Sequence, residues 1–247
     1  MTTANSDPRL NRRAPWMAAA GLLALAASLS ACTTATSPAT GRTFSTPVSV
    51  QQEAQIGAKE HPKILEEFGG AYTEKPELNP YVNSIGQFLA STGERPDVKF
   101  TFTVLNTPDI NAFALPGGYV YVTRGLMALA NNEAEFAGVV GHEIGHVNAR
   151  HTAERMGQQQ QASILGTLGV LASGLLFGQT GANLAGGIAN ESIANWLGSY
   201  SQQQEFEADM LGVRYLTRAT YDPQAMSSFL ASLDAETRLD AELTGKD

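Results

Sequence analysis

Cysteine is almost missing from this sequence: Cys32 stands alone, so no disulfide can close within the chain. Basic charge is scarce as well. The formal net charge is −8, and nothing in the chain resembles the basic surface of a nucleic-acid binder. Long hydrophobic runs are lacking too. The two most apolar stretches, Trp16 to Leu29 and Ala162 to Phe177, fall short of the ~20 residues that span a bilayer. No internal repeat appears, and histidine is limited to His61, His142, His146 and His151. What remains is 247 residues, 43% of them hydrophobic, enough for one sizeable domain.

Residues 1–31 read as a lipoprotein signal peptide rather than as part of the fold. Arg9, Arg12 and Arg13 form a basic region ahead of the first apolar stretch. Leu29-Ser30-Ala31-Cys32 then resembles the lipobox of bacterial lipoproteins, with Cys32 as the lipidation site. An acidic chain has no electrostatic reason to lie on anionic lipid, so acyl chains are the better membrane anchor. Thr33 follows where an inner-membrane retention signal usually shows Asp, which by lipoprotein habit points to the outer membrane, facing the periplasm. Residues 32–49, rich in Ser, Thr and Pro, read as a lipidated, flexible tether, and residues 50–247 as the domain.

Within that domain the pattern predicts a helix over Val50 to Phe68, interrupted near Pro62. It predicts a second helix over Pro80 to Thr92, with Val82, Ile85, Phe88 and Leu89 on one side. Lys99 to Leu105 alternates like a strand. Asn111 to Leu115 and Tyr119 to Thr123 follow as two more, joined at Pro116-Gly117-Gly118. Gly125 to Ala130 starts a short helix. The Gly/Ala-rich stretch 158–199 admits three readings: a helical hairpin beside the functional cleft, which the pattern favours, a mobile lid, or a surface that dips into the bilayer.

The chemistry is concentrated in Asn131 to Arg150, NNEAEFAGVVGHEIGHVNAR. Glu133 and Glu135 suit a helix N-terminus, and Phe136, Val139, Val140, Ile144 and Val147 recur at helical spacing. On a helix, residues four apart stack, so His142 and His146 aim two imidazoles at one point where zinc can bind. Glu143 lies about 100° round the helix from His142, poorly placed as a ligand but well placed as a general base. Downstream, Ser201 to Tyr215 is again helical, and Glu205 and Asp209 share one face. Glu205 is the candidate third ligand, and Asp209 the carboxylate that orients a ligand imidazole. Glu207 reads as a solvated charge, His61 as a surface residue, and His151, five residues past His146, as a structural residue that points elsewhere on the helix.

The run NAFALPGGYVYVTRGLMALANNEAEFAGVVGHEIGHVNARHT, followed by EFEADMLG, resembles the gluzincin peptidases of the BepA, LoiP, HtpX and CAAX prenyl protease kind, over roughly Val48 to Leu230. The resemblance implies an α+β fold, a mostly helical zincin metallopeptidase domain with a small β-sheet. It implies one Zn2+ per chain, bound by His142, His146 and Glu205, with Glu143 as catalytic acid/base and Asp209 in support. It also implies an edge strand that holds substrate extended; Asn111, Ala112, Phe113 and Ala114 are the candidates, with an interior strand as the other reading. The implied activity is endopeptidase cleavage in envelope protein quality control, on unfolded or misassembled envelope proteins. Two rivals stand beside it: a chaperone-like lipoprotein with a structural zinc site, and a membrane-active scaffold using residues 162–197. The sequence departs from its relatives at Met210, where they usually carry Arg. It also lacks their downstream His-Pro element, so the domain reads as a shortened member or one cut short.

Overall fold

The computed structural model describes residues 33–177, 198 and 200–245. Cys32, the signal segment 1–31 and residues 178–197 of the Gly/Ala-rich stretch lie outside the described residues.

The stretch expected to be a flexible tether is folded. Thr33–Thr36 (β1) and Thr43–Thr46 (β2) pair as an antiparallel hairpin, Thr33 opposite Thr46 and Thr36 opposite Thr43. Its Ser/Thr-rich composition misled, because threonine is β-branched and suits a half-buried strand. β2 turns Phe44 and Thr46 inward, and Phe44 packs with Val48 and Ala153.

Ser49 then caps the next helix. Its Oγ accepts from the N–H of Gln52 at 3.3 Å, and the Gln52 side chain accepts from the N–H of Ser49 at 2.8 Å. α1 (Val50–Glu67) runs through Pro62 without the expected interruption. The ring removes one N–H, but burial of the stripe Glu53, Gly57, Glu60 and Ile64 holds the helix on both sides of it. α2 (Leu78–Ser91) buries Val82, Ile85 and Leu89 as the spacing requires. Phe88 does not belong to that face: it is 49% exposed, about 100° round the helix from Leu89.

Three short strands form the second sheet: β3 (Thr101–Leu105), β4 (Ala112–Leu115) and β5 (Tyr119–Thr123), in the order β3-β5-β4. β3 runs parallel to β5 and β4 antiparallel to it. The β4–β5 turn needs its glycines, because Gly117 and Gly118 hold φ of 83° and 93°. β4 is an edge strand; among the described residues no other strand pairs with its outer side.

Thr123 caps the short α3 (Arg124–Leu129), and Asn132 caps α4 (Glu133–Ala149) by accepting from the N–H of Glu135 at 3.0 Å. α4 is buried on nearly every side, by α2, β4 and two later helices, α6 (Gln202–Arg218) and α7 (Ala225–Thr244). Between them α5 (His151–Phe177) follows α4 after one residue, Arg150, which sits left-handed at φ 64°. α5 contains the first arm of the expected hairpin; the second lies outside the described residues.

One core joins the sheet to the helices, through Val104, Val120 and Val122 from strands and Phe136, Val140, Ile144, Leu211 and Tyr215 from α4 and α6. A Cβ on Gly141 would lie 3.4 Å from the Gly212 backbone, so α4 and α6 pass with almost no side chain between them. That close approach sets the carboxylates of α6 over the histidines of α4. The architecture is the expected α+β, mostly helical with small sheets. No helix among the described residues is long and apolar enough to cross a membrane.

Candidate metal centre

His142 and His146, one turn apart on α4, bring their Nε2 atoms within 3.0 Å of each other. Glu205, from the first turn of α6, places Oε2 at 3.4 Å from Nε2 of His142 and 3.8 Å from Nε2 of His146. Two N or O ligands about 2.0–2.1 Å from a tetrahedral centre lie about 3.3–3.4 Å apart. The triangle is therefore the right size to hold one such ion, and the donor types fit zinc. These three residues are the one His/Cys/Asp/Glu group found among the described residues whose ligand atoms converge this way.

Charge points the same way. Burial alone would lower the His142 pKa, but the carboxylates of Asp209, Glu205 and Glu143 reverse this and push it up to about 10. The cluster is thus short of positive charge, which a dication would supply. Glu143 is fully enclosed beside the triad, and burial raises its carboxyl to about 7, against the pull of His142 and with the push of Glu205. Asp209 accepts from Nδ1 of His142 at 2.9 Å, behind the ring nitrogen that faces the triangle. All five residues singled out in the sequence thus meet at one place.

The substrate-strand candidates divide. Ala112, Phe113 and Ala114 form most of β4, whereas Asn111 precedes it. Asn111 also has its main chain engaged: its O accepts the Thr123 N–H at 3.0 Å, and its N–H reaches Thr123 Oγ1 at 3.1 Å. Phe113 points inward, stacked on Tyr121 with ring centroids 4.9 Å apart. Asn111 and Ala112 line a cleft of about 200 Å³ together with His142, Glu143 and Asp209. Its far wall is an apolar face of α7, Met226, Phe229, Leu230 and Leu233, which the sequence reading did not assign to the site. Their spacing of three to four residues was the available signal.

Two further readings are corrected. Glu207 is not a solvated charge: it is 7% exposed and accepts from Arg42 Nε at 2.8 Å. His151 does not point away from the motif, because its Nδ1 lies 2.9 Å from Nδ1 of His146. Tyr200 was also missed. Its ring stacks on His146 with centroids 4.0 Å apart, and its hydroxyl meets Thr152 Oγ1 at 2.9 Å. His61 is as expected remote from the triad, bonded instead to the Tyr121 hydroxyl at 2.7 Å.

Two imidazoles on one helix, closed by a carboxylate from a second and backed by a buried glutamate at an open cleft, make the site of a metal-dependent hydrolase. Comparison with known proteins is specific. Residues 76–244 match the model of peptidase family M48, and the chain belongs to that family. It is 36% identical over 208 residues to the beta-barrel assembly-enhancing protease of Escherichia coli (strain K12), covering 82% of this chain and 42% of that protein. The same-named protein of Yersinia pestis is 39% identical over 167 residues, 66% of this chain and 34% of its own length. The mitochondrial metalloendopeptidase OMA1 of Schizosaccharomyces pombe is 29% identical over 191 residues, 76% and 54% of the respective chains. The chain thus spans less than half the length of the bacterial relatives it matches.

Proposed function

We propose that the protein is a zinc-dependent endopeptidase that cleaves unfolded or misassembled proteins of the bacterial envelope. The observation that carries this reading is the position of Glu143, buried against the His142–His146–Glu205 triangle and opening on the β4 cleft. When bound, zinc lowers the pKa of a water to about 7 and polarises a carbonyl. His142, His146 and Glu205 would hold it, leaving the fourth position for water. Three convergent donors favour this over a structural site, which is normally closed by four. Asp209, on Nδ1 of His142, keeps that ring's proton on the far side and its Nε2 lone pair toward the triangle. Glu143 takes the proton of the attacking water and passes it to the leaving amine.

The edge strand supports an extended substrate. Asn111 is hydrogen-bonded to Thr123, so the alternation of an antiparallel pair bonds Phe113 to Tyr121. Ala112 and Ala114 then turn their N–H and C=O outward, where a peptide can add as a further strand. The apolar α7 wall favours a hydrophobic side chain next to the scissile bond, of the kind that folded proteins bury.

Two relatives are named for β-barrel assembly, which supports an envelope role, and the Leu29–Cys32 lipobox supports a lipid anchor in the outer membrane. Glu143→Gln should keep zinc and lose cleavage of casein; a metal-loaded variant that still cleaves removes Glu143 from the mechanism. Cys32→Ser should abolish palmitate incorporation, and unchanged labelling would refute the anchor.

A further inference from the structure

Among the described residues no carboxylate stands behind the His146 ring as Asp209 does behind His142. Nδ1 of His146 instead faces Nδ1 of His151, at 2.9 Å. A neutral imidazole has one donor nitrogen and one acceptor. If Nε2 of His146 is to offer a lone pair to a metal, its proton sits on Nδ1 and is donated to His151. Nδ1 of His151 must then accept, which leaves its own proton on Nε2. Nε2 of His151 lies 3.1 Å from Oε2 of Glu207. Each position is forced by the one before it, and His151, fully buried, has nowhere else to turn.

Glu207 is held in turn. Arg42, in the turn of the N-terminal hairpin, donates Nε to Oε1 of Glu207 at 2.8 Å and a second nitrogen to Oε2 at 3.3 Å. The same guanidinium makes a two-pronged contact with Glu154 at 2.5 and 2.6 Å, and Glu154 also accepts from Gln204 Nε2 at 2.8 Å. Such fork-to-carboxylate pairing fixes direction as well as charge. Tyr200, stacked on the His146 ring, resists its rotation from the other side.

We propose that His151, Glu207 and Arg42 are positioning residues that fix the tautomer and orientation of the His146 ring, so that the N-terminal hairpin sets how tightly the site holds its metal. The inference rests on the metal-site reading above, and it reaches outside the family-matched residues 76–244, since Arg42 precedes them. Partners behind a metal-binding imidazole typically contribute 10–100-fold in affinity. Here that support would be relayed through a second imidazole and anchored on the N-terminal hairpin, whose Arg42 lies 165 positions before Glu207.

The test uses the full chain and measures the zinc dissociation constant by chelator competition, with the absorption spectrum of the cobalt-substituted protein and the melting temperature alongside. Arg42→Met cuts the relay at its outer, half-buried end, His151→Phe removes the acceptor, and His151→Asn restores one near the position of Nδ1. Arg42→Met and His151→Phe should weaken zinc by about 10-fold or more and alter the cobalt spectrum, and His151→Asn should recover most of the affinity. A purely structural role would lower melting temperature without shifting the spectrum. Unchanged zinc affinity in Arg42→Met would overturn the relay while leaving the metal site intact. His146→Ala serves as reference: if it keeps full zinc affinity, the metal-site reading falls and the relay with it. Should His151→Phe fail to fold, Arg42→Met alone decides.

Discussion

Asp209 Oδ1 lies 2.9 Å from Nδ1 of His142, while Glu205, one turn earlier on α6, faces Nε2 of the same ring at 3.4 Å. One imidazole is thus addressed on both nitrogens by two carboxylates of one helix, and the two should fail differently. Glu205→Ala removes a donor to the metal and should leave the purified protein nearly zinc-free after dialysis. Asp209→Asn only loosens the ring, so zinc should stay stoichiometric while activity falls about 10–100-fold. Metal analysis on the two variants checks the order. The reverse order would exchange their roles.

The pairing of β4 makes a sharper test of the substrate strand. Proline is tolerated on an edge strand only where its missing N–H would have faced outward. Ala112→Pro should therefore keep the melting temperature close to wild type but raise KM or lower kcat/KM on an extended peptide. Phe113→Pro deletes a bond to Tyr121 and disturbs the buried ring stack, and should destabilise the fold. If Ala112→Pro is folded and fully active, the peptide is not held there.

A pH effect is expected away from the site, at Glu94. Burial pushes its carboxyl up, but hydrogen bonds from Tyr215, Arg218 and Arg214 outweigh this and hold it below the usual carboxylate range. A depressed folded-state pKa contributes stability that is present above the unfolded value of about 4.3 and lost as pH falls through the folded value. Glu94→Gln should therefore be less stable than wild type to urea at pH 7, with the gap closing toward pH 3. A gap that stayed constant would show that packing, not charge, was lost.

What could be read from the sequence was local. His142 with His146, and Glu205 with Asp209, are each four apart, and helical geometry alone puts each pair on one face. Relations that depend on a change of chain direction could not be read. On an uninterrupted helix His151 would point about 140° away from His146. The left-handed Arg150 breaks that count and folds the first turn of α5 back under the last turn of α4. Glycine is the usual residue at such a helix end, so an arginine gave no warning. Arg42 was lost in the same way, because its partners Glu154 and Glu207 come from two helices that only the fold brings together.

The turn at Arg150 has one more consequence, for which part of the chain encloses its side chain. The Arg150 guanidinium is buried and donates to Glu53 Oε1 at 3.0 Å and to the Val48 carbonyl at 3.1 Å, with Phe44 beneath it at 5.6 Å. All three contacts come from before residue 76, where the stretch matched to the family starts. A fragment trimmed to that stretch would keep the cation but lose Glu53, its counter-charge, together with Val48 and Phe44 that pack on it. The stretch matched to the family therefore leaves out the partners of Arg150, which reach back to Phe44 on β2.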